Sequence, residues 1–272
     1  MERPSVPGRT RAALAVWFVV AAACAGGDPS SAVPVTVVEV VDGDSLVVRT
    51  AAGEMEVRLV GINAPEHDEC FGPQARRILE EAVSGPVRLD QVGTDRFGRT
   101  LARLTAAGGD VGDELVGAGA ALALSGDGDY ARRLIASERD AREARRGLWN
   151  PVGCDASAPP IADVVDISDI RPDPPGPDED RLEDEWVELT ARASVDLGGW
   201  VLRDESSRHR FRFPDGFMLA AGDRLRIVSG CRPPPDALAW CAQGPVWNND
   251  GDSVLLVDRW GRVVAHRRYD PG

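Results

Sequence analysis

Lysine is missing from this sequence. All 31 basic residues are arginine, set against 44 aspartates and glutamates, for a formal net charge of −13 and a pI near 4.7. A chain this acidic does not bind a polyanion through its overall field, because that attraction comes from neutralised phosphates. Any such binding has to rest on a local arginine cluster, and the plain consequence of the acidity is solubility. No two of the five cysteines are spaced as CxxC, and the three histidines lie elsewhere, which argues against structural zinc. The apolar run Ala12 to Ala23 falls short of the roughly 20 residues that span a bilayer. The acidic, Pro-rich run Asp173 to Glu185 lacks EF-type spacing and reads as a solvated loop. What is present is ordinary apolar content over 272 residues, enough for a packed core in each of one or two domains.

The N-terminus carries an export pattern. Arg3, Arg9 and Arg11 precede the apolar run, which ends in Ala21-Ala22-Ala23-Cys24. A basic stretch, a short apolar stretch and small residues at a cleavage point make a signal peptide over 1–24. The pattern resembles a bacterial lipoprotein signal, in which Cys24 is lipidated, although Ala21 stands where such signals prefer a larger aliphatic. Ordinary cleavage near Ala23 and free secretion is the alternative. The expected location is therefore the outer face of the bacterial cell membrane, as a lipoprotein, or the exterior. Setting Cys24 aside leaves Cys70, Cys154, Cys231 and Cys241, an even number in an oxidising compartment. The simplest pairing is Cys70 with Cys154 and Cys231 with Cys241.

Along the chain, 25–32 reads as a small, polar tether. The β-branched run Val35 to Val41, then Leu46 to Arg49, then Met55 to Ile62 read as three strands. Gly72 to Ala82 has helical spacing, with Ala75, Ile78, Leu79 and Ala82 on one face. Strands at Val87 to Val92 and Leu101 to Leu104 follow, then helices over Val111 to Gly119 and Leu134 to Ala144. Five strands with helices fit a small OB-type β-barrel over 33–155. After a linker at 156–160, residues 161–272 show short apolar strands between Gly, Pro and Asp turns, the spacing of a β-sandwich. The fold class is thus mainly β with some α: a five-stranded barrel with helices, then a sandwich.

Several residues carry chemistry suited to phosphodiester cleavage. That reaction places negative charge on the oxygens around phosphorus, so catalysis consists largely of positioning water and stabilising charge. Arginine suits the task because its planar fork binds phosphate oxygens in pairs and keeps its proton. Arg58 interrupts an apolar strand, and Arg99 follows Gly98. Glu66 follows Pro65 and can orient or deprotonate a water. Asp44, in Val41-Asp42-Gly43-Asp44-Ser45, and Asn63 offer oxygens to a hard cation. Spacing alone does not bring these residues together. Taken singly, Arg58 reads equally as an edge-strand charge, Glu66 as a loop acid and Arg99 as a hairpin residue.

Three motifs supply the connection: Val-Asp-Gly-Asp-Ser at 41–45, Val-Arg-Leu-Val-Gly-Ile-Asn-Ala-Pro-Glu at 57–66, and Asp-Arg-Phe-Gly-Arg-Thr-Leu-Ala at 95–102. With Cys70-Phe71-Gly72 and Arg146-Gly147-Leu148-Trp149, they make the stretch 33–154 resemble the staphylococcal nuclease family. The resemblance implies an OB-type barrel that hydrolyses DNA and RNA with Ca2+. It implies that Arg58 and Arg99 stabilise the transition state, that Glu66 is the general base, and that Asp44, Asn63 and the backbone oxygen of Ala64 hold calcium. Two departures stand out. Asn63 replaces the family's Asp, which removes one negative charge from the implied metal site; the expectation is weaker calcium binding or the use of another ion. The stretch after Gly119 reads Leu122-Ala123-Leu124-Ser125-Gly126 where the family carries tyrosines that pack on the nucleotide; Tyr130 is the nearest aromatic.

Residues 161–269 resemble a lamin-tail domain. Glu185-Trp186-Val187-Glu188-Leu189, Leu197-Gly198-Gly199-Trp200-Val201-Leu202 and Val246-Trp247-Asn248-Asn249-Asp250-Gly251-Asp252 carry that resemblance. It implies an immunoglobulin-like sandwich without a catalytic role, with Trp186, Trp200 and Trp247 in packing roles. The expectation is a monomeric, exported, calcium-dependent nuclease acting on DNA and/or RNA. Its membrane attachment would run through a lipidated Cys24, and its C-terminal domain would engage a surface or protein partner. The competing reading is a non-catalytic module that binds nucleic acid or protein; such binding does not require Arg58, Glu66 and Arg99 together, and all three are present.

Overall fold

The computed structural model describes residues 32–155, 157–159, 163–206 and 208–269. The expected signal, Cys24 with its lipid, and all of the tether up to Ser31 lie outside the described residues, as do parts of the 156–160 linker. The described N-terminal half runs β1 (Val33–Val40), β2 (Ser45–Thr50), β3 (Gly53–Leu59), β4 (Ile62–Asn63), α1 (Gly72–Ala82), β5 (Val87–Thr94), β6 (Thr100–Ala106), β7 (Gly109–Asp110), α2 (Val111–Gly117), β8 (Leu122–Ala123) and α3 (Gly128–Glu143). The strand order is β3-β2-β1-β5-β6-β7, and a parallel pairing of β3 with β6 closes a five-stranded barrel. Side chains alternate across each strand, so Leu46, Val48, Val57, Leu59, Leu89 and Leu104 fill the interior and α1 and α2 add Leu79 and Leu115. Each such side chain contributes about 2 kcal/mol by leaving water.

Three boundaries differ from the sequence reading. The run from Met55 to Ile62 is two strands, because the chain turns at Val60 and Gly61. Gly61 has φ +78, a region that side chains disfavour, and the turn lets β4 leave the barrel wall and pair with β8. The helix expected from Leu134 begins six residues earlier, at Gly128; its first turn is polar and carries no apolar periodicity. The helix expected over Val111 to Gly119 ends at Gly117, and Asp110 caps its start by accepting the Asp113 N–H.

The C-terminal half contains β9 (Val165–Arg171), β10 (Trp186–Ala191), β11 (Val195–Asp196), β12 (Val201–Arg203), β13 (Arg210–Arg212), β14 (Met218–Leu219), β15 (Arg224–Val228), β16 (Ala237–Ala239), β17 (Asp252–Val257) and β18 (Val263–Tyr269). Two four-stranded sheets, β16-β15-β10-β9 and β13-β12-β17-β18, enclose one core in an immunoglobulin-like sandwich. Trp200 and Trp247 are buried in it, while Trp186 is half-buried with the Arg226 guanidinium 4.4 Å from its ring. The acidic run is not solvated to its end. Glu185 is buried, and its Oε1 accepts the N–H groups of Val246 and Trp247, each at 2.8 Å, and the Ser229 hydroxyl. An acid that satisfies buried backbone donors belongs to the core, not to the loop that precedes it.

The two halves share a dry seam and a charged one. Leu255 packs with Leu122, Ala141 and Trp149. His266 lies edge-on to the Trp149 ring at 5.2 Å and touches the Arg142 guanidinium. Burial, then Arg142 and Arg268, push its pKa down to about 3, so it packs as a neutral ring. Nearby, Arg268 pairs with Glu138 of α3 at 2.9 Å and with Glu205 of the C-terminal half at 3.2 Å, and also donates to the Ala123 carbonyl. Arg262 is buried against Asp258 and donates to the carbonyls of Pro151 and Pro159.

Both expected disulfides are present, Cys70–Cys154 and Cys231–Cys241. The first lies against the C-terminal half: a Cβ on Gly261 would sit 2.6 Å from the Cβ of Cys70. Its 84-residue separation makes it the larger constraint on the unfolded chain. Replacing Cys70 and Cys154 by serine should lower the unfolding free energy by about 4–5 kcal/mol in urea titrations.

Candidate nuclease site

The turn between β1 and β2 positions Asp44. Asp42 Oδ1 accepts the Asp44 N–H at 2.9 Å and fixes the turn. Gly43 is needed because any Cβ there would lie 2.7 Å from the Cβ atoms of both Ala64 and Ala75. The turn is therefore pressed between the end of β4 and α1, and Asp44 is delivered to the residues after β3. Its Oδ2 accepts the Ala64 N–H at 2.6 Å and pairs with the Arg58 guanidinium. Its Oδ1 accepts the Ser45 hydroxyl at 3.0 Å. Arg58 Nη2 also donates to Asn63 Oδ1 at 3.0 Å. Asp44, Arg58, Asn63 and Ala64 thus form one buried polar cluster.

Arg99 is placed by its hairpin. Asp95 accepts the backbone N–H groups of Phe97 and Arg99 and pairs with Arg99 Nε at 2.8 Å. Leu101 lies opposite Arg58 in the β3–β6 register, and Arg99 is two residues before Leu101. Thr100, the first residue of β6, pairs with Val57, so the chain at Arg99 emerges beside β3. The Arg99 guanidinium nevertheless rests on Asp95, not on the Asp44 cluster. Phe97 is 70% exposed at the hairpin tip, with the Arg96 guanidinium 4.6 Å from its ring. Glu66 is exposed on the loop after β4. Its N–H donates to the Glu69 carboxylate at 3.0 Å. Gly72 allows that loop to close, since a Cβ there would overlap the Glu66 carbonyl oxygen.

The Staphylococcal nuclease homologue family matches residues 56–151, and the Lamin Tail Domain family matches residues 158–271. An "Uncharacterized endonuclease" of Escherichia coli O157:H7 is 33% identical over 116 residues, which cover 42% of this chain and 75% of that protein. "Micrococcal nuclease" of Shigella flexneri is 33% identical over 125 residues, 42% of this chain and 72% of that protein. "Protein ParB" of Escherichia coli is 35% identical over 125 residues, 42% of this chain and 71% of that protein. The chain belongs to the staphylococcal nuclease family.

This family member is a phosphodiester hydrolase with a lamin tail domain behind it, and the tail domain reaches the nuclease residues. Asn63 Nδ2 donates to the Glu205 carbonyl at 3.1 Å. Glu69 pairs with Arg210 and stands 3.9 Å from Arg203. The Glu205 carboxylate accepts the Ser125 hydroxyl at 2.8 Å. The sequence holds no signal for these contacts, because positions 63 and 205 are 142 residues apart and belong to motifs of different families. Asn63 itself was legible as a departure. The structure adds that its amide faces an acceptor on the tail domain, where a carboxylate would meet a carbonyl oxygen.

The residues fit a hard cation in donor type. Asp44, Asn63 and the Ala64 carbonyl offer a carboxylate, an amide and a backbone oxygen, the oxygen set such ions take. Burial pushes the Asp44 pKa up to about 6 even with Arg58 beside it. Among the described residues no three His, Cys, Asp or Glu side chains gather to hold a metal.

A second buried acid lies behind the Glu205 loop. Asp252 Oδ1 accepts the Glu205 N–H, and Oδ2 accepts the Asn248 amide at 3.1 Å. Burial first, then the carboxylates of Glu205 and Asp204, push its pKa up to about 7. A raised folded pKa means that its contribution to stability is complete below the unfolded value near 3.8 and fades as pH rises through about 7. Carboxyl-detected NMR should find Asp252 titrating near neutrality, and its share of the stability should be lost, with a falling melting midpoint, between about pH 4 and about pH 7.

Proposed function

We propose that the chain is an exported, calcium-dependent nuclease that hydrolyses DNA and/or RNA, with its tail domain serving in binding or targeting. The observation that carries this reading is the packed cluster of Asp44, Arg58, Asn63 and Ala64, with Arg99 at the hairpin end that joins the wall beside β3. In the proposed reaction Arg58 and Arg99 fork onto the oxygens around phosphorus as their charge grows. Glu66 takes a proton from a water that attacks phosphorus. The new P–O bond forms as the bond to the 5′ oxygen breaks, the leaving oxygen is protonated, and a 3′-phosphate remains. Asp44, Asn63 and the Ala64 oxygen would hold the calcium, which when bound supplies positive charge to a phosphate oxygen. A phosphate would compete with Asp44 and Asn63 for the Arg58 guanidinium, which both now engage.

Export rests on the basic and apolar N-terminal pattern and on the four cysteines left after Cys24. A lipid on Cys24 would hold the enzyme at the outer face of the cell membrane; cleavage near Ala23 would release it.

Purified protein with calcium should cut DNA or RNA, and chelator should stop it. Glu66→Gln or Arg99→Gly should each reduce hydrolysis by roughly a thousandfold with the unfolding curve unchanged; rates equal to wild type would reject the site assignment. Asn63→Asp should tighten the calcium dependence of the rate by restoring a carboxylate. An unaltered calcium titration would count against the metal ligands.

A further inference from the structure

The barrel lacks the stacking tyrosines after Gly119, and the chain as a whole is acidic. Yet one strip of the tail domain is basic and aromatic. Arg210 and Arg212 are exposed at alternate positions of β13, which puts them on one face of the strand, and Arg208 is exposed in the bend that precedes it. β13 is an edge strand of its sheet. The three arginines line an open groove of about 880 Å³ together with Phe211, Trp240 and Asn248. The Phe211 and Trp240 rings, 5.7 Å apart, are half-buried: they pack against the sandwich core and show only part of their surface to the groove. Arg208 and Arg212 have no ion-pair partner among the described residues.

The groove leads to the nuclease residues. Arg210 and Arg212 also line a second cavity of about 470 Å³ that contains Asn63, Pro65 and Glu69. Arg210 is paired with Glu69, whose carboxylate in turn holds the Glu66 N–H. A line of guanidiniums beside aromatic rings is the chemistry that binds a single nucleic-acid strand: phosphates on the arginines, bases against the rings.

We propose that the β13 groove of the tail domain binds single-stranded nucleic acid and carries it toward the Arg58–Glu66 site. As a substrate path this rests on the nuclease reading; as a binding site it is tested separately. The groove gives the tail domain a direct part in substrate capture.

The test is fluorescence anisotropy with a labelled oligonucleotide of about 20 nucleotides in chelator, so that nothing is consumed. Arg208→Gln combined with Arg212→Gln should weaken binding about tenfold or more. It should also flatten the plot of log affinity against log salt by about 1.4, the share of two phosphate contacts on a single strand. Affinity and slope equal to wild type, with an unchanged melting midpoint, would overturn the groove. Arg132→Gln combined with Arg139→Gln on α3 makes the same charge change elsewhere and should leave the slope alone; an equal loss would reduce the effect to overall charge and also overturn it. Polyglutamate displacing the oligonucleotide as well as unlabelled DNA does would assign the groove to an acidic protein instead. Wild-type cleavage of the same oligonucleotide with calcium reads the nuclease assignment independently. Binding without cleavage would overturn that assignment and the path with it, and cleavage with unchanged variant binding would overturn the groove alone.

Discussion

The guanidinium of Arg268 is the contact on which the arrangement of the two halves turns. It stands between Glu138 of the barrel helix and Glu205 of the tail domain, both nearly fully buried. Two carboxylates brought together out of water repel and lose hydration; a shared cation with several donors reverses that balance. Arg268 also donates to the Ala123 carbonyl on β8, the strand that pairs with β4 and so fixes Asn63. One side chain thereby sets where the Glu205 loop sits, and the Glu205 carbonyl meets the Asn63 amide as a result. The polar cluster around Asp44 is completed from outside its own barrel.

Charge in this protein is arranged locally. The excess of acids is distributed so that most arginines near the candidate site already have a carboxylate: Arg58 with Asp44, Arg99 with Asp95, Arg210 with Glu69. Such pairs hold side chains in place and keep them from each other. They also mean that an incoming phosphate has to exchange places with a resident carboxylate, which favours a ligand offering several charges at once. A polymer of phosphates does so, and a single anion does not.

Much of this was readable beforehand where the cause was local. The β-branched run Val35 to Val41 and the short apolar runs after it marked the barrel strands, and Asp42-Gly43 before Asp44 marked a turn whose glycine proves to be wedged against Ala64 and Ala75. The pairing of four cysteines followed from parity and position. The break at Gly61 escaped because the apolar pattern runs on through it, and the start of α3 because its first turn is polar. Glu185 looked like the last acid of a solvated loop; only the fold shows that it satisfies the N–H groups of Val246 and Trp247. The link from Asn63 to Glu205 could not be read, since neither residue carries a periodicity or a motif that refers to the other.

The close approach of Gly261 to Cys70 has a consequence for assembly. A methyl group on Gly261 would already crowd the Cβ of Cys70, so the tail-domain turn can close over this edge only where residue 261 carries no side chain. The barrel's own disulfide thus forms part of the floor on which the second domain rests.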